Sequence, residues 1–115
     1  MMLDWNQFRS DILGRIGDFG KLAPEVLKGV LTIDRAGSKT QRLDEKTREL
    51  ISLACAVTTR CDGCISVHAE AAVKAGASEE EIAEALGVAI NLNAGAALVF
   101  SARVLDAVRK LPAQA

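Results

Sequence analysis

The stretch Gly76-Ala77-Ser78-Glu79-Glu80-Glu81 marks the clearest helix boundary in the sequence. Glycine readily adopts the left-handed conformation that follows many helices, so Gly76 is predicted to end one helix. Ser78 and Glu81 have the S-x-x-E spacing of a capping box, in which each side chain binds the backbone amide of the other residue. A new helix is therefore expected directly after Ser78, and this helix–turn–helix unit is the starting point of the predicted fold.

Downstream of this boundary, the sequence predicts two helices separated by a polar break. The first runs to about Asn91 and the second covers about 94–111. The break is inferred from Asn91, Asn93 and Gly95, which interrupt an uncharged stretch at 85–102. Because these residues fit poorly in the hydrocarbon core of a bilayer, we expect no membrane-spanning helix and no membrane partner.

Upstream of the boundary, four helices are expected, each with its own start or stop signal. Asp4 and Asp44 can cap helices through their carboxylates, Pro24 suits a first helical turn, and Gly37 is predicted to end the second helix. No stretch alternates apolar and polar residues as a half-buried strand does. The expected fold is an all-α bundle of about six helices in a single domain over 1–115. The four upstream ranges are about 4–16, 24–37, 44–58 and 61–76.

The composition excludes several classes of protein. Of the 115 residues, 50% are hydrophobic, which is enough for one core and excludes intrinsic disorder. The 14 basic and 15 acidic side chains are interleaved, so the chain lacks the basic surface that binds nucleic acid. The N-terminus lacks the basic start and apolar run of a secretory signal, which makes a cytoplasmic location the expectation. The apolar surplus in the last third of the chain predicts a homo-oligomer.

The strongest chemical signal is the run Cys61-Asp62-Gly63-Cys64-Ile65-Ser66-Val67-His68. Residues three and four positions apart share one face of a helix, so Cys64 is expected to neighbour both Cys61 and His68. Free amides and the positive end of the helix dipole stabilise a thiolate at a helix start, which favours redox chemistry there. His68 is the only histidine of the chain and can accept or shuttle a proton near neutral pH.

Three further residues near this motif are considered for a role. Glu49 lies twelve residues before Cys61, at the edge of an uncharged run, and can relay protons if it faces the cysteines. Glu45 is the nearest competitor for that role. Cys55 lies between two alanines without polar neighbours, so it is predicted to belong to the core.

The spacing Glu49-x11-Cys61-x2-Cys64-x3-His68, followed by the Gly76 turn and more helices, resembles the AhpD-like peroxidases of the carboxymuconolactone decarboxylase superfamily. The resemblance covers roughly 43–108, more than half of the chain. It implies an all-helical, cofactor-free protein, assembled as a trimer or hexamer. Such a protein reduces small hydroperoxides, or passes electrons from a dithiol reductant to a peroxiredoxin partner, through a redox-active cysteine pair.

The resemblance also implies roles for four residues of this chain. Cys64 is the sulfur that meets the peroxide, Cys61 is its base and then its disulfide partner, and Glu49 and His68 form a water-linked proton relay. From the residues alone the order stays open, because the helix dipole favours a thiolate at Cys61 whereas His68 neighbours Cys64. Proteins of the AhpD type carry a histidine between the two cysteines, and this chain has only Asp62 and Gly63 there.

Three other interpretations of the motif are kept. In a cofactor-free lactone decarboxylase, His68 and Glu49 do acid–base work and the cysteines are incidental. In a non-catalytic interaction module, Cys61, Cys64, His68 and Glu49 bind a structural zinc ion, although such zinc sites usually recruit a second C-x-x-C or histidine pair. In the plainest interpretation, the two cysteines are small buried residues near a helix start.

Overall fold

A computed structural model of the chain describes residues 2–113, and all regular secondary structure in that range is helical. The all-α prediction is confirmed, with five helices instead of about six. They are α1 (Trp5–Leu22), α2 (Pro24–Thr40), α3 (Glu45–Thr59), α4 (Asp62–Lys74) and α5 (Glu79–Arg109).

The predicted helix starts are confirmed by their capping bonds. The carboxylate of Asp4 accepts the Gln7 amide at 3.1 Å, and that of Asp44 accepts the Thr47 amide at 2.8 Å. The Ser78 hydroxyl accepts the Glu81 amide at 3.0 Å, and the Glu81 carboxylate accepts the Ser78 amide at 3.0 Å, which completes the capping box. Gly76 has a φ of 92°, as the prediction of a left-handed residue after α4 requires.

The predicted break near Asn91 is wrong, because α5 continues without interruption from Glu79 to Arg109. The Asn93 side-chain amide donates to the Ala89 carbonyl at 2.7 Å, so it is satisfied within the helix. A single glycine such as Gly95 costs a helix only about 1 kcal/mol relative to alanine, which is too little to divide a helix of this length.

The first two helices also run further than predicted, to Leu22 instead of Ile16 and to Thr40 instead of Gly37. Gly20, within α1, lies where a Cβ atom would collide with the Leu27 side chain of α2. This glycine therefore allows α1 and α2 to approach closely, and packing compensates for its low helix propensity.

The core lies between α3, α4 and the start of α5. Leu53 of α3 and Ala72 of α4 are buried together with Ala77 of the turn that follows. The Lys46 ammonium group of α3 donates to the Glu81 carboxylate of α5 at 2.8 Å and adds a polar tie between these helices. The N-terminal helices join this core through α1, which contacts α2 and α4.

The second half of α5 leaves this core. Beyond Ala89 nearly every side chain is exposed, including Leu98 at 74% and Phe100 at 65%. Within residues 2–113, α5 is the one helix that is long and apolar enough to cross a membrane by length and composition. Those two properties are also common in helices that are covered by protein.

We predict that Glu81→Gln lowers stability at neutral pH and that the loss disappears in acid. The hydrogen bond from Lys46 holds the pKa of the Glu81 carboxyl below its usual value of 4.5. The charged carboxylate therefore stabilises the fold above that value, and this contribution is lost as the pH falls through the lower pKa of the folded state. Thermal unfolding, followed by circular dichroism at pH 7 and at about pH 3, measures the difference.

Glu80→Gln is the matched control, because Glu80 is exposed one position earlier on the same turn. Glutamine can still accept the Ser78 amide, so the substitution at Glu81 removes the charge and keeps the capping box. A stability loss in Glu81→Gln that persists unchanged in acid would contradict this assignment.

Candidate functional site

The candidate site begins at the turn that joins α3 to α4. Arg60 adopts the left-handed conformation, with a φ of 55°, and its amide donates to the Ala56 carbonyl. The next amide, that of Cys61, donates to the same carbonyl at 3.0 Å. This turn ends α3 and folds the chain back, so that Cys61 becomes the N-cap of α4.

Cys61 and Cys64 form a disulfide bond across the first turn of α4. Their Cα atoms are 5.2 Å apart, within the range that disulfide geometry allows. The Cys61 sulfur also accepts the Cys64 amide at 3.1 Å, in the way a serine hydroxyl accepts an amide at other helix starts. The expectation that the C-x-x-C pair lies within bonding distance at a helix start is therefore confirmed.

His68 and Glu49 form the second pair of the site. Nδ1 of His68, on α4, donates to Oε2 of Glu49, on α3, at 2.7 Å. The two side chains are 26% and 19% exposed, so the pair is largely shielded from water. Because the carboxylate accepts the Nδ1 proton, Nε2 of the neutral imidazole is left able to accept another proton.

The remaining acidic candidate lies away from this pair. Glu45 is exposed on the first turn of α3, one helical turn before Glu49. Of the two carboxylates considered, only Glu49 makes a hydrogen bond to His68 in the described structure.

Cys64 and His68 line one small cavity of about 260 Å³ at the α3–α4 surface. Cys61 is joined to this cavity through its bond to Cys64, and Glu49 through its bond to His68. The four residues singled out from the sequence are thus brought together. The cavity wall also includes Ile51, Ser52, Cys55, Ala56 and Thr59.

The prediction that Cys55 belongs to the core is wrong. Cys55 is exposed and carries a free thiol. The core of α3 is formed around Leu53 and Ala56, whereas Cys55 points toward the cavity and toward α5. Apolar neighbours in the sequence do not determine which face of a helix a residue occupies, and this is why the prediction failed.

A second feature was not predicted, namely an apolar groove between α3 and α5. It has a volume of about 510 Å³ and continues from the small cavity, with which it shares Ile51, Cys55 and Thr59. Asn93 forms part of the groove wall, and its side-chain amide donates to the Thr58 hydroxyl at 2.9 Å. The helical spacing of small and apolar residues on α3 and α5 is a sequence signal for such a surface. The groove is lined by Ile51, Ala54, Cys55, Thr58, Thr59, Val88, Ala89, Leu92, Asn93 and Ala96.

The site is equipped for thiol chemistry coupled to proton transfer. A sulfur pair at a helix start can cycle between dithiol and disulfide, and the adjacent imidazole–carboxylate pair can hold or deliver a proton. Among residues 2–113, no group of three or more histidine, cysteine, aspartate and glutamate side chains has the geometry of a metal site.

Known proteins share the sequence pattern and the helical fold of this chain. Residues 24–107, from the start of α2 almost to the end of α5, match the profile of the carboxymuconolactone decarboxylase family. An uncharacterised protein of Haemophilus influenzae is 52% identical over 107 residues, which cover 93% of this chain and 95% of that protein. Uncharacterised protein 4 in the cox locus of Paracoccus denitrificans is 31% identical over 78% of this chain and 81% of its own length.

Two solved structures share the fold. A carboxymuconolactone decarboxylase family protein from Legionella pneumophila, solved in its apo form, superposes with a TM-score of 0.72 at 36% identity, over 92% of this chain and 95% of that one. A protein of Methanobacterium thermoautotrophicum superposes with a TM-score of 0.68 at 38% identity, over 75% of this chain and 97% of that one. The chain belongs to the carboxymuconolactone decarboxylase family.

Proposed function

We propose that this protein is a thiol-dependent oxidoreductase that reduces small hydroperoxides through the Cys61–Cys64 pair. The observation that carries the proposal is the placement of this pair at the start of α4, with Cys64 on the same cavity wall as His68. His68 is in turn hydrogen-bonded to Glu49. A pair of cysteines used only for packing has no need of a disulfide, a helix start and a proton relay in one place.

In the oxidative step, the Cys64 thiolate attacks the terminal oxygen of the hydroperoxide and the O–O bond breaks. The sulfur becomes a sulfenic acid, and the alkoxide leaves as an alcohol after taking up one proton. The Cys61 thiol then attacks this sulfur, a disulfide forms, and the sulfenic oxygen leaves as water. The peroxide gains two electrons, and the two cysteines together lose two.

The assignment of Cys64 as the attacking sulfur is supported by its position on the cavity wall. Cys61 sits behind it as the N-cap and is bonded to it, which suits the resolving thiol. In this scheme, His68 takes up the proton of the Cys64 thiol and delivers it to the leaving oxygen, and the Glu49 carboxylate stabilises the imidazolium between these two transfers.

In the reductive step, a dithiol donor returns the disulfide to two thiols. One donor thiolate attacks a sulfur of the pair, a mixed disulfide forms, and the second donor thiol resolves it. The donor leaves oxidised by two electrons. A reducing compartment such as the cytoplasm supplies donors of this class, and a peroxiredoxin is a second partner that we propose for the same exchange.

The cavity suits a compact substrate. Its volume of about 260 Å³ accommodates a small alkyl chain, and Ile51 and Ala56 give part of its wall an apolar character. We therefore propose short alkyl hydroperoxides as the substrate class.

A second candidate function uses the same proton relay without the sulfurs. The Glu49–His68 hydrogen bond is an acid–base pair of the kind that a cofactor-free lactone decarboxylase of this family would use. In that case a Cys61→Ser/Cys64→Ser variant retains full activity on a lactone substrate, whereas His68→Asn loses it.

We predict that the protein purified without reductant takes up one thiol label and that the reduced protein takes up three. The chain has three cysteines, and Cys55 alone is free when the disulfide is formed. Labelling with N-ethylmaleimide in denaturant, followed by intact mass spectrometry, counts the labels. Three labels without reductant would show that the pair is not oxidised as purified.

We predict that reduced protein loses two hydrogens on treatment with one equivalent of an alkyl hydroperoxide, mapped to Cys61 and Cys64. Cys61→Ser is expected to stop at the sulfenic acid on Cys64, which dimedone traps, whereas Cys64→Ser is expected to be unreactive. Peptide mass spectrometry distinguishes these products. Unchanged thiols in the wild-type protein would refute the peroxidase assignment.

We predict that His68→Asn and Glu49→Gln each slow this oxidation by about 100-fold at neutral pH, because each removes part of the proton relay. Stopped-flow measurement of peroxide consumption gives the rates. Glu45→Gln is the matched control, since it removes an exposed carboxylate from the first turn of the same helix. Equal rates in Glu49→Gln and Glu45→Gln would remove Glu49 from the mechanism.

A further inference from the structure

The wall of the small cavity at the candidate site carries two hydroxyl groups that the proposed mechanism does not use. They belong to Ser52 and Thr59, which lie on the side of α3 that lines the cavity. The Ser52 hydroxyl donates its proton to the Arg48 carbonyl at 2.9 Å. The Thr59 hydroxyl donates its proton to the Cys55 carbonyl at 3.0 Å. A hydroxyl has one proton and two lone pairs, so toward the cavity both groups are hydrogen-bond acceptors.

The imidazole on the same wall is an acceptor as well. Nδ1 of His68 donates to the Glu49 carboxylate, so Nε2 of the neutral ring has a lone pair and no proton. Among the described residues, no lysine or arginine lines this cavity. Apart from the weakly polar thiols, the polar side chains of the wall are therefore all acceptors. A ligand that binds there has to supply the hydrogen-bond donor, and a carboxylate would find neither a donor nor a cation.

The antiparallel register of α3 and α4 places Ser52 between the reactive groups of α4. Two contacts fix this register. Glu49 is hydrogen-bonded to His68, and the Ala56 carbonyl accepts the Cys61 amide at 3.0 Å. In the same register, Ser52 lies across from the part of α4 that separates the sulfur of the cavity from its imidazole.

Ser52 is also better shielded from water than the other hydroxyl of the wall. Ser52 is half-buried and is not part of the α3–α5 groove, whereas Thr59 is exposed and lines the groove as well. A hydrogen bond is electrostatically stronger where water is excluded. Of the two hydroxyls, that of Ser52 is therefore better suited to hold a substrate.

We infer, on the basis of the proposed function, that Ser52 orients the hydroperoxide by accepting a hydrogen bond from its terminal O–H group. The terminal oxygen is then held beside the Cys64 sulfur, and the oxygen that carries the alkyl group is left for His68. Ser52 is thus a specificity-determining residue, because it selects which of the two oxygens the sulfur attacks.

The two oxygens keep separate partners throughout the reaction. The Cys64 thiolate forms a bond to the terminal oxygen as the O–O bond breaks, and the proton on that oxygen stays with it in the sulfenic acid. The other oxygen leaves with the electron pair of the O–O bond and takes the proton from His68, which gives the alcohol. Ser52 transfers no proton and accepts from the same O–H group before and after this step. The sulfur loses two electrons, and the peroxide gains two.

The test compares two oxidants on the reduced protein. tert-Butyl hydroperoxide carries the terminal O–H group, whereas diamide oxidises a dithiol to a disulfide and has no O–H or N–H group to donate. Rapid mixing, followed by trapping of the remaining thiols with N-ethylmaleimide and intact mass spectrometry, gives the rate of disulfide formation with each oxidant.

We expect Ser52→Ala to lower the second-order rate constant for tert-butyl hydroperoxide about tenfold, which corresponds to one hydrogen bond of about 1.4 kcal/mol. Its rate with diamide is expected to stay within about twofold of the wild-type rate, because diamide offers no proton to the hydroxyl. Alanine is smaller than serine and favours a helix, so the fold is expected to persist, as circular dichroism verifies.

Ser101→Ala is the matched control. The Ser101 hydroxyl makes the same kind of bond, to the Ala97 carbonyl at 2.7 Å, on an exposed turn of α5 outside the cavity. This variant is expected to react like the wild-type protein with both oxidants. Ser52→Thr keeps a hydroxyl that can bond to the carbonyl one turn back, and it is expected to recover most of the lost rate.

Equal hydroperoxide rates in the wild-type protein and Ser52→Ala would overturn the inference and leave the proposed function standing. A Ser52→Ala variant slowed equally with both oxidants would also overturn it, because that result assigns Ser52 a structural role. The same holds for a Ser52→Thr variant as slow as Ser52→Ala. A wild-type protein that diamide oxidises and tert-butyl hydroperoxide does not would refute the proposed function, and the inference with it.

Discussion

The packing of α3 against α4 around Leu53 and Ala72 is the contact on which the candidate site depends. Ala72 is fully buried, and its small side chain lets the two helices lie close together. Glu49 lies one helical turn before Leu53, and His68 lies one turn before Ala72, so the packed faces carry the hydrogen-bonded pair of Glu49 and His68 with them. A larger residue at position 72 would separate the helices and lengthen the 2.7 Å hydrogen bond between His68 and Glu49.

The Cys61–Cys64 disulfide and the start of α4 are also coupled to each other. Cys61 takes the place of the serine, threonine or aspartate that usually caps a helix, and its sulfur accepts the Cys64 amide. After reduction, the free amides and the positive end of the α4 dipole stabilise negative charge on either sulfur of the pair. The first turn of α4 thus stabilises the reduced form of the residues that it carries.

The features that could be predicted from the sequence are those set by short-range chemistry. The caps at Asp4, Asp44 and Ser78 depend on residues within one turn, and the C-x-x-C-x-x-x-H spacing places three groups on one helix face. The pairing of Glu49 with His68 spans two helices, so the family resemblance predicts it and local rules do not.

The features that could not be predicted depend on packing between helices. Asn93 is a polar residue within an uncharged stretch and so predicts a break, but its bonds to Ala89 and Thr58 hold it within α5. The apolar neighbours of Cys55 predict a place in the core, but the core of α3 lies on a different side of the helix. Arg60 gave no signal of a left-handed turn, because residues other than glycine adopt that conformation only where the surrounding structure imposes it.

The unbroken course of α5 has a mechanical consequence. From Ala89, the last buried residue of this helix, to Arg109 the helix has no hinge and extends about 30 Å. A rigid rod of that length converts a tilt of about five degrees at its base into a displacement of roughly 2.6 Å at its tip. Small adjustments in the spacing of α3 and α5 are therefore amplified at the far end of the rod, well away from the sulfurs.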